Sequence, residues 1–169
     1  QKRKKRRGRD PFFDPFFDSF FTETETKILR SQEHTLSIKE YPGSRPSGFT
    51  GGVGDFKIST TTDTDSLIVN EAVTFNVSIE GTGNIGLFSI NELKFSDEID
   101  QFPPKENFDK NVFRDELSGK ITWEYILVPR IPGSLTIPPI NFTFFNPKTE
   151  KWNVLSSKPK SVNVKKTSS

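Results

Sequence analysis

Apolar and polar positions alternate with period two through most of the chain beyond residue 49. Val73, Phe75, Val77 and Ile79 alternate with Thr74, Asn76, Ser78 and Glu80, which predicts a strand with one face buried. Ile140, Phe142 and Phe144 alternate in the same way with Asn141, Thr143 and Phe145. Ile121 to Val128 is rich in β-branched and aromatic residues and stops at Pro129. Shorter runs start at Phe56 and Ile58, at Ile85–Ile90 and at Asn111–Glu116; Lys151–Ser156 and the pair Val162 and Val164 close the set. No helical periodicity is found beyond a single turn near Asn91–Phe95.

Turn chemistry separates these runs. Pro132-Gly133 joins a preset φ to a residue that tolerates positive φ, as a type II turn requires. Gly81-Thr82-Gly83-Asn84, Leu117-Ser118-Gly119 and Asn146-Pro147-Lys148-Thr149 read as further turns. Pro138-Pro139 cannot donate ladder hydrogen bonds, so it belongs at an edge or at a crossing between sheets. Seven or eight short strands over about 120 residues predict an all-β chain folded as an immunoglobulin-like antiparallel sandwich.

Three regions follow from composition. Residues 1–22 are a basic and phenylalanine-rich segment, expected to be mobile. Residues 23–46 hold Lys27–Tyr41, read as the last strand of a truncated upstream domain, and then the linker PGSRPSG. Residues 47–169 are the sandwich. The chain begins with glutamine and holds no methionine, so it is expected to be a piece of a longer protein.

Hydrophobic residues make up only 31%, and seventeen phenylalanines must supply much of the core. Cysteine is absent, which removes disulfides and thiol chemistry. No run of apolar residues is long enough to span a bilayer. Seven of the 24 basic residues fall among the first nine positions; from Pro11 onward 17 basic residues face 21 acidic ones, a net of −4.

Catalysis has little material here. His34, the sole histidine, stands between Glu33 and Thr35 on an alternating stretch and reads as a surface residue, so imidazole relays and histidine metal clusters are excluded. Asp97, Glu98 and Asp100 form an acidic loop without the spacing of a calcium loop, and Asp63 and Asp65 read as a turn. Gly51-Gly52-Val53-Gly54 lacks the lysine and helix of a phosphate loop and reads as a flexible entry into the first strand. Trp123 is expected in the core; Trp152 is expected either exposed or packed at an edge.

The strongest anomaly is N-terminal. Lys2, Arg3, Lys4, Lys5, Arg6 and Arg7 precede Phe12, Phe13, Phe16, Phe17, Phe20 and Phe21, which recur as pairs. Clustered cations suit an anionic surface, and paired rings suit either an interface or a protein partner. These twelve residues are the candidate contact site, with no catalytic, cofactor-binding or metal-binding residue and no cofactor expected. Nucleic acid is not the expected partner, because no basic face lies behind the run.

GFTGGVGDFKIS (48–59), NEAVTFNVSIEGTGNI (70–85) and WEYILVPRIPGSLTIPPINFTFFNPKTEKW (123–152) occur in an order and spacing that resemble the BatD family, the oxygen-tolerance proteins of bacterial aerotolerance operons. The DPFFDPFFDSFF and SIKEYP stretches resemble the region that precedes such a domain. The resemblance implies an extracytoplasmic protein of the cell envelope, on the periplasmic side. It would be anchored by a helix outside this stretch, built from several immunoglobulin-like domains, and without an established catalytic site. It implies envelope partners, among them the von Willebrand factor A and tetratricopeptide-repeat proteins of the same operon. The expected function is a non-enzymatic protein-interaction module; the rival is a ligand- or carbohydrate-binding sandwich using Trp152.

Overall fold

A computed structural model of the chain describes residues 27–113 and 116–167. It divides into two compact units, Gln1–Lys39 and Glu40–Ser169. Of the first unit, the described residues 27–39 carry neither strand nor helix and are exposed throughout. The strand expected over Lys27–Tyr41 is not formed. Leu36 and Ile38 remain 86% and 93% exposed, because the alternation finds no neighbouring strand to pair with among the described residues.

The second unit is all β, with ten strands and no helix among the described residues: β1 (Phe49–Thr62), β2 (Ser66–Ile68), β3 (Val73–Gly83), β4 (Ile99–Gln101), β5 (Lys105–Phe113), β6 (Glu116–Pro129), β7 (Gly133–Ile137), β8 (Asn141–Asn146), β9 (Lys151–Ser156) and β10 (Lys160–Lys165). The larger sheet runs β4-β6-β3-β1-β8-β9, with β5 also paired to β6; the smaller runs β2-β10-β7. Together they form a curled β-sandwich. As expected, Pro138-Pro139 sits where the chain leaves the smaller sheet after β7 and enters the larger at β8. The Asn146–Thr149 hairpin joins β8 to β9 as expected.

The alternating residues supply the core. Val73, Phe75, Val77 and Ile79 of β3 are at most 1% exposed, beside Ile121, Trp123, Tyr125 and Leu127 of β6. Phe142 and Phe144 of β8, Leu135 and Ile137 of β7, and Val162 and Val164 of β10 complete one cluster. Phe56 bridges the halves of the larger sheet, its ring 5.1 Å from Phe88, 5.8 Å from Phe142 and 5.4 Å from Phe144.

Several local expectations are corrected. The glycine-rich stretch Gly51–Gly54 lies inside β1, not in a flexible entry. Its first residues pair parallel with β8, and from Gly54 onward the strand pairs antiparallel with β3. Gly81–Gly83 is likewise strand, because Gly54 and Gly83 meet backbone to backbone; a Cβ on Gly83 would lie 2.2 Å from the Val53 carbonyl oxygen. Asn84 then extends the ladder with its side chain, accepting from Val53 N at 2.7 Å and donating to the Gly51 carbonyl at 2.8 Å. Ile85–Ile90 forms no strand, although Ile85 and Phe88 are buried, and no helical turn occurs at Asn91–Phe95. Leu117–Gly119 belongs to β6, paired with β5.

The PGSRPSG stretch is not a free linker. The compact unit begins at Glu40, and the Tyr41 ring packs 5.6 Å from Phe49 and 5.3 Å from Trp152. A boundary at Pro46 therefore cuts through packed structure. A chain starting at Pro46 loses those ring contacts and the Pro42 carbonyl that accepts from Trp152 Nε1 at 3.3 Å. The expected cost is about 2 kcal/mol in a urea titration, accompanied by a red shift of tryptophan emission. An unchanged midpoint would show that these rings contribute nothing.

Candidate interaction site

Two outer faces of the sandwich differ sharply. The outer face of β1, β3, β6 and β5 is polar. Register places Lys57 opposite Glu80, Glu80 opposite Lys120, and Lys120 opposite Asp109, a row of alternating charge across four strands. The next row, Ser59, Ser78, Thr122 and Asn107, contains a 2.9 Å hydrogen bond between the Ser78 and Thr122 hydroxyls. Lys57, Glu80 and Lys120 are exposed, whereas Ser78 is buried and meets its hydrogen bond on Thr122.

The outer face of β8 and β9 is aromatic. All four residues Phe142–Phe145 are buried, so β8 is covered on both sides, which half-buried alternation does not predict. Phe145 turns away from the core cluster towards Trp152, 5.2 Å off, and Tyr41, 5.3 Å off. Phe49 stands 4.9 Å from Trp152, and the Arg45 guanidinium lies over Tyr41 at 5.3 Å. Val154, on the same side of β9 as Trp152, is 64% exposed. β9 is the terminal strand of the larger sheet, paired among the described residues only with β8. Apolar surface therefore adjoins an open sheet edge.

A third feature is a groove of about 490 Å³ between the Ile90–Leu93 loop segment and Gln101–Pro104, with Trp123 and Tyr125 at its floor. Trp123 Nε1 donates to the Glu106 carboxylate at 3.1 Å. Burial first, and the Glu92 carboxylate second, push Tyr125 above the ordinary tyrosine pKa, so its phenol keeps its proton well past neutrality.

A family model for the BatD DUF11-like domain matches residues 60–164, from the last residues of β1 into β10. The chain belongs to the BatD family. No curated protein and no solved structure matches it. The BatD family is generally associated with the cell envelope. The match leaves Tyr41 and Phe49 outside it, so two of the four rings on the aromatic face come from the preceding stretch of this BatD chain.

The residues singled out in the sequence are spread over this frame. The basic run and the six phenylalanines, Lys2 to Phe21, lie outside the described residues. His34 is exposed. Trp123 is in the core, and Trp152 is half-buried at the edge, its ring enclosed by three others. Asp63 accepts from Thr74 N at 3.0 Å, which fixes the β1–β3 connection. Among the described residues no group of three His, Cys, Asp or Glu side chains is placed to hold a metal ion. Asp100 instead pairs with Arg130, whose Nε lies 2.8 Å from its carboxylate and whose Nη1 donates to Asn70 Oδ1 at 2.9 Å. Both side chains are about half exposed, so Asp100→Asn is expected to cost under about 1 kcal/mol in a denaturant titration. Asp100 lies in β4 and not in the acidic loop expected, and a larger loss would give its ion pair a weight its exposure does not suggest. The signal of the aromatic face in the sequence is Phe145, an aromatic at the polar phase of its strand.

Proposed function

We propose that this domain is a non-enzymatic interaction module of a membrane-anchored, extracytoplasmic BatD protein. It acts through surface contacts within a cell-envelope complex associated with aerotolerance. Its partners are envelope proteins, foremost the von Willebrand factor A and tetratricopeptide-repeat proteins of the same operon. The observation that supports this reading best is the pairing of exposed Val154 with the free edge of β9, next to the aromatic face. Such an edge accepts a partner strand through backbone hydrogen bonds, while neighbouring apolar side chains supply burial. The carbohydrate-binding alternative needs Trp152 as an open stacking platform, whereas its ring is packed by Tyr41, Phe49 and Phe145.

The test is reconstitution with the purified operon partners in a binding titration. Val154→Asp, or Val154→Pro, which removes an N–H directed to the free edge, is expected to abolish complex formation while far-ultraviolet circular dichroism stays unchanged. Lys57→Ser on the polar face should have no effect. Equal loss from the polar-face variant, or none from the β9 variants, would move the contact elsewhere.

A further inference from the structure

We propose that, before an envelope partner arrives, the β9 edge is closed by β9 of a second copy of this chain, paired antiparallel across a two-fold axis at Val154. This rests on the reading of β9 as a strand acceptor and names what occupies it in the chain alone. The β8–β9 ladder fixes which backbone groups are open. Ser157 N donates to the Ile140 carbonyl at 2.9 Å, so in the register Phe142↔Leu155 and Phe144↔Asn153 the odd-numbered residues of β9 bond to β8. The N–H and C=O groups of Trp152, Val154 and Ser156 therefore face away from β8, and no described strand pairs with them. From Trp152 to Ser156 there is no proline, no charged side chain and no bulge, the devices with which sheet edges ordinarily repel one another.

Reversed on itself, β9 meets its own complement. With Val154 on the axis, Trp152 stands opposite Ser156 of the second copy. All three residues face the edge, so each pair exchanges both of its N–H···O bonds. A slip of one residue would set these groups against groups already bonded to β8. The same register puts Glu150, at the end of the β8–β9 turn, opposite Lys158, just beyond the strand, and leaves Lys151 opposite Ser157. Neither Glu150 nor Lys158 has an ion-pair partner among the described residues, and their opposite charges flank the junction at both ends. A slip of two residues loses that match and sets Val154 against Trp152 or Ser156. Val154, 64% exposed in the single chain, packs on its own equivalent with Trp152 of the second copy diagonal to it. The aromatic faces of the two copies thus become continuous.

The experiment is sedimentation equilibrium on the full chain from about 1 μM to about 1 mM. The average mass is expected to rise from one chain to two. Val154→Pro should hold it at one chain with circular dichroism unchanged. Glu150→Lys or Lys158→Glu alone should weaken the dimer about tenfold by opposing like charges at both ends, and the two together should restore it. Because the chain holds no cysteine, Val154→Cys supplies a single thiol, which should oxidise to a linked dimer far faster than that of Lys57→Cys on the polar face. A mass that never leaves one chain, a dimer indifferent to Val154→Pro, or a charge swap that fails to restore association overturns the proposal. A chain that stays monomeric yet binds the operon partners through β9 defeats this inference alone. Partners that bind without dissolving the β9 pair leave the dimer standing and defeat the proposed docking site instead.

Discussion

Phe142→Ala is expected to cost about 3–5 kcal/mol, read as a fall in the urea midpoint at unchanged slope. Phe142 is 1% exposed, and its ring lies 4.8 Å from Phe88, 5.8 Å from Phe56 and 5.8 Å from Phe144. Its removal therefore opens a void where the two halves of the larger sheet meet, and none of the surrounding rings can collapse into it without giving up a partner. Phe75→Ala, at another fully buried position in β3, should fall in the same range. A loss below about 1 kcal/mol at either site would mean that the core repacks freely, against the usual behaviour of close-packed interiors.

Gly83→Ala is the second large effect. At φ 131°, a Cβ would lie 2.2 Å from the Val53 carbonyl oxygen and 2.6 Å from Gly54 Cα. Backbone, not a movable side chain, is in the way, so β1 and β3 must separate locally. The expected cost is about 3 kcal/mol or more, with amide exchange accelerated at Asp55 and Phe56 before it changes in β6. Normal protection in β1 at an unchanged midpoint would show that the strands accommodate the methyl group.

The sequence made the alternating strands legible because one buried face imposes a period of two. Val73–Ile79 and Ile121–Leu127 lie where that pattern placed them, and Pro138-Pro139 marks the passage between sheets. Glycine misled the reading. In Gly81–Gly83 and Gly51–Gly54 it permits close approach of two backbones rather than reversal of one, and the sequence alone does not distinguish these uses. The aromatic face was hidden because it joins Pro42 to Trp152, far apart in the chain. The groove was hidden because Glu92 and Leu93 belong to a connection without periodicity, brought over Tyr125 only by the tertiary fold.

The pairing of early strands with late ones also governs the order in which the domain is made. β1 needs Thr143 as partner for Phe49, and β2 needs Asn163 as partner for Ser66. A chain emerging N-terminus first therefore holds two unfinished sheet edges until β8 and β10 arrive, and loop-closure entropy makes such distant pairings slow. During that interval β1 and β3 can zip together, but the Phe56 ring has no Phe142 or Phe144 to meet. Closure of the domain thus waits on β8 and β10, and a nascent chain stalled before Lys160 is the species that a holding chaperone would have to shield.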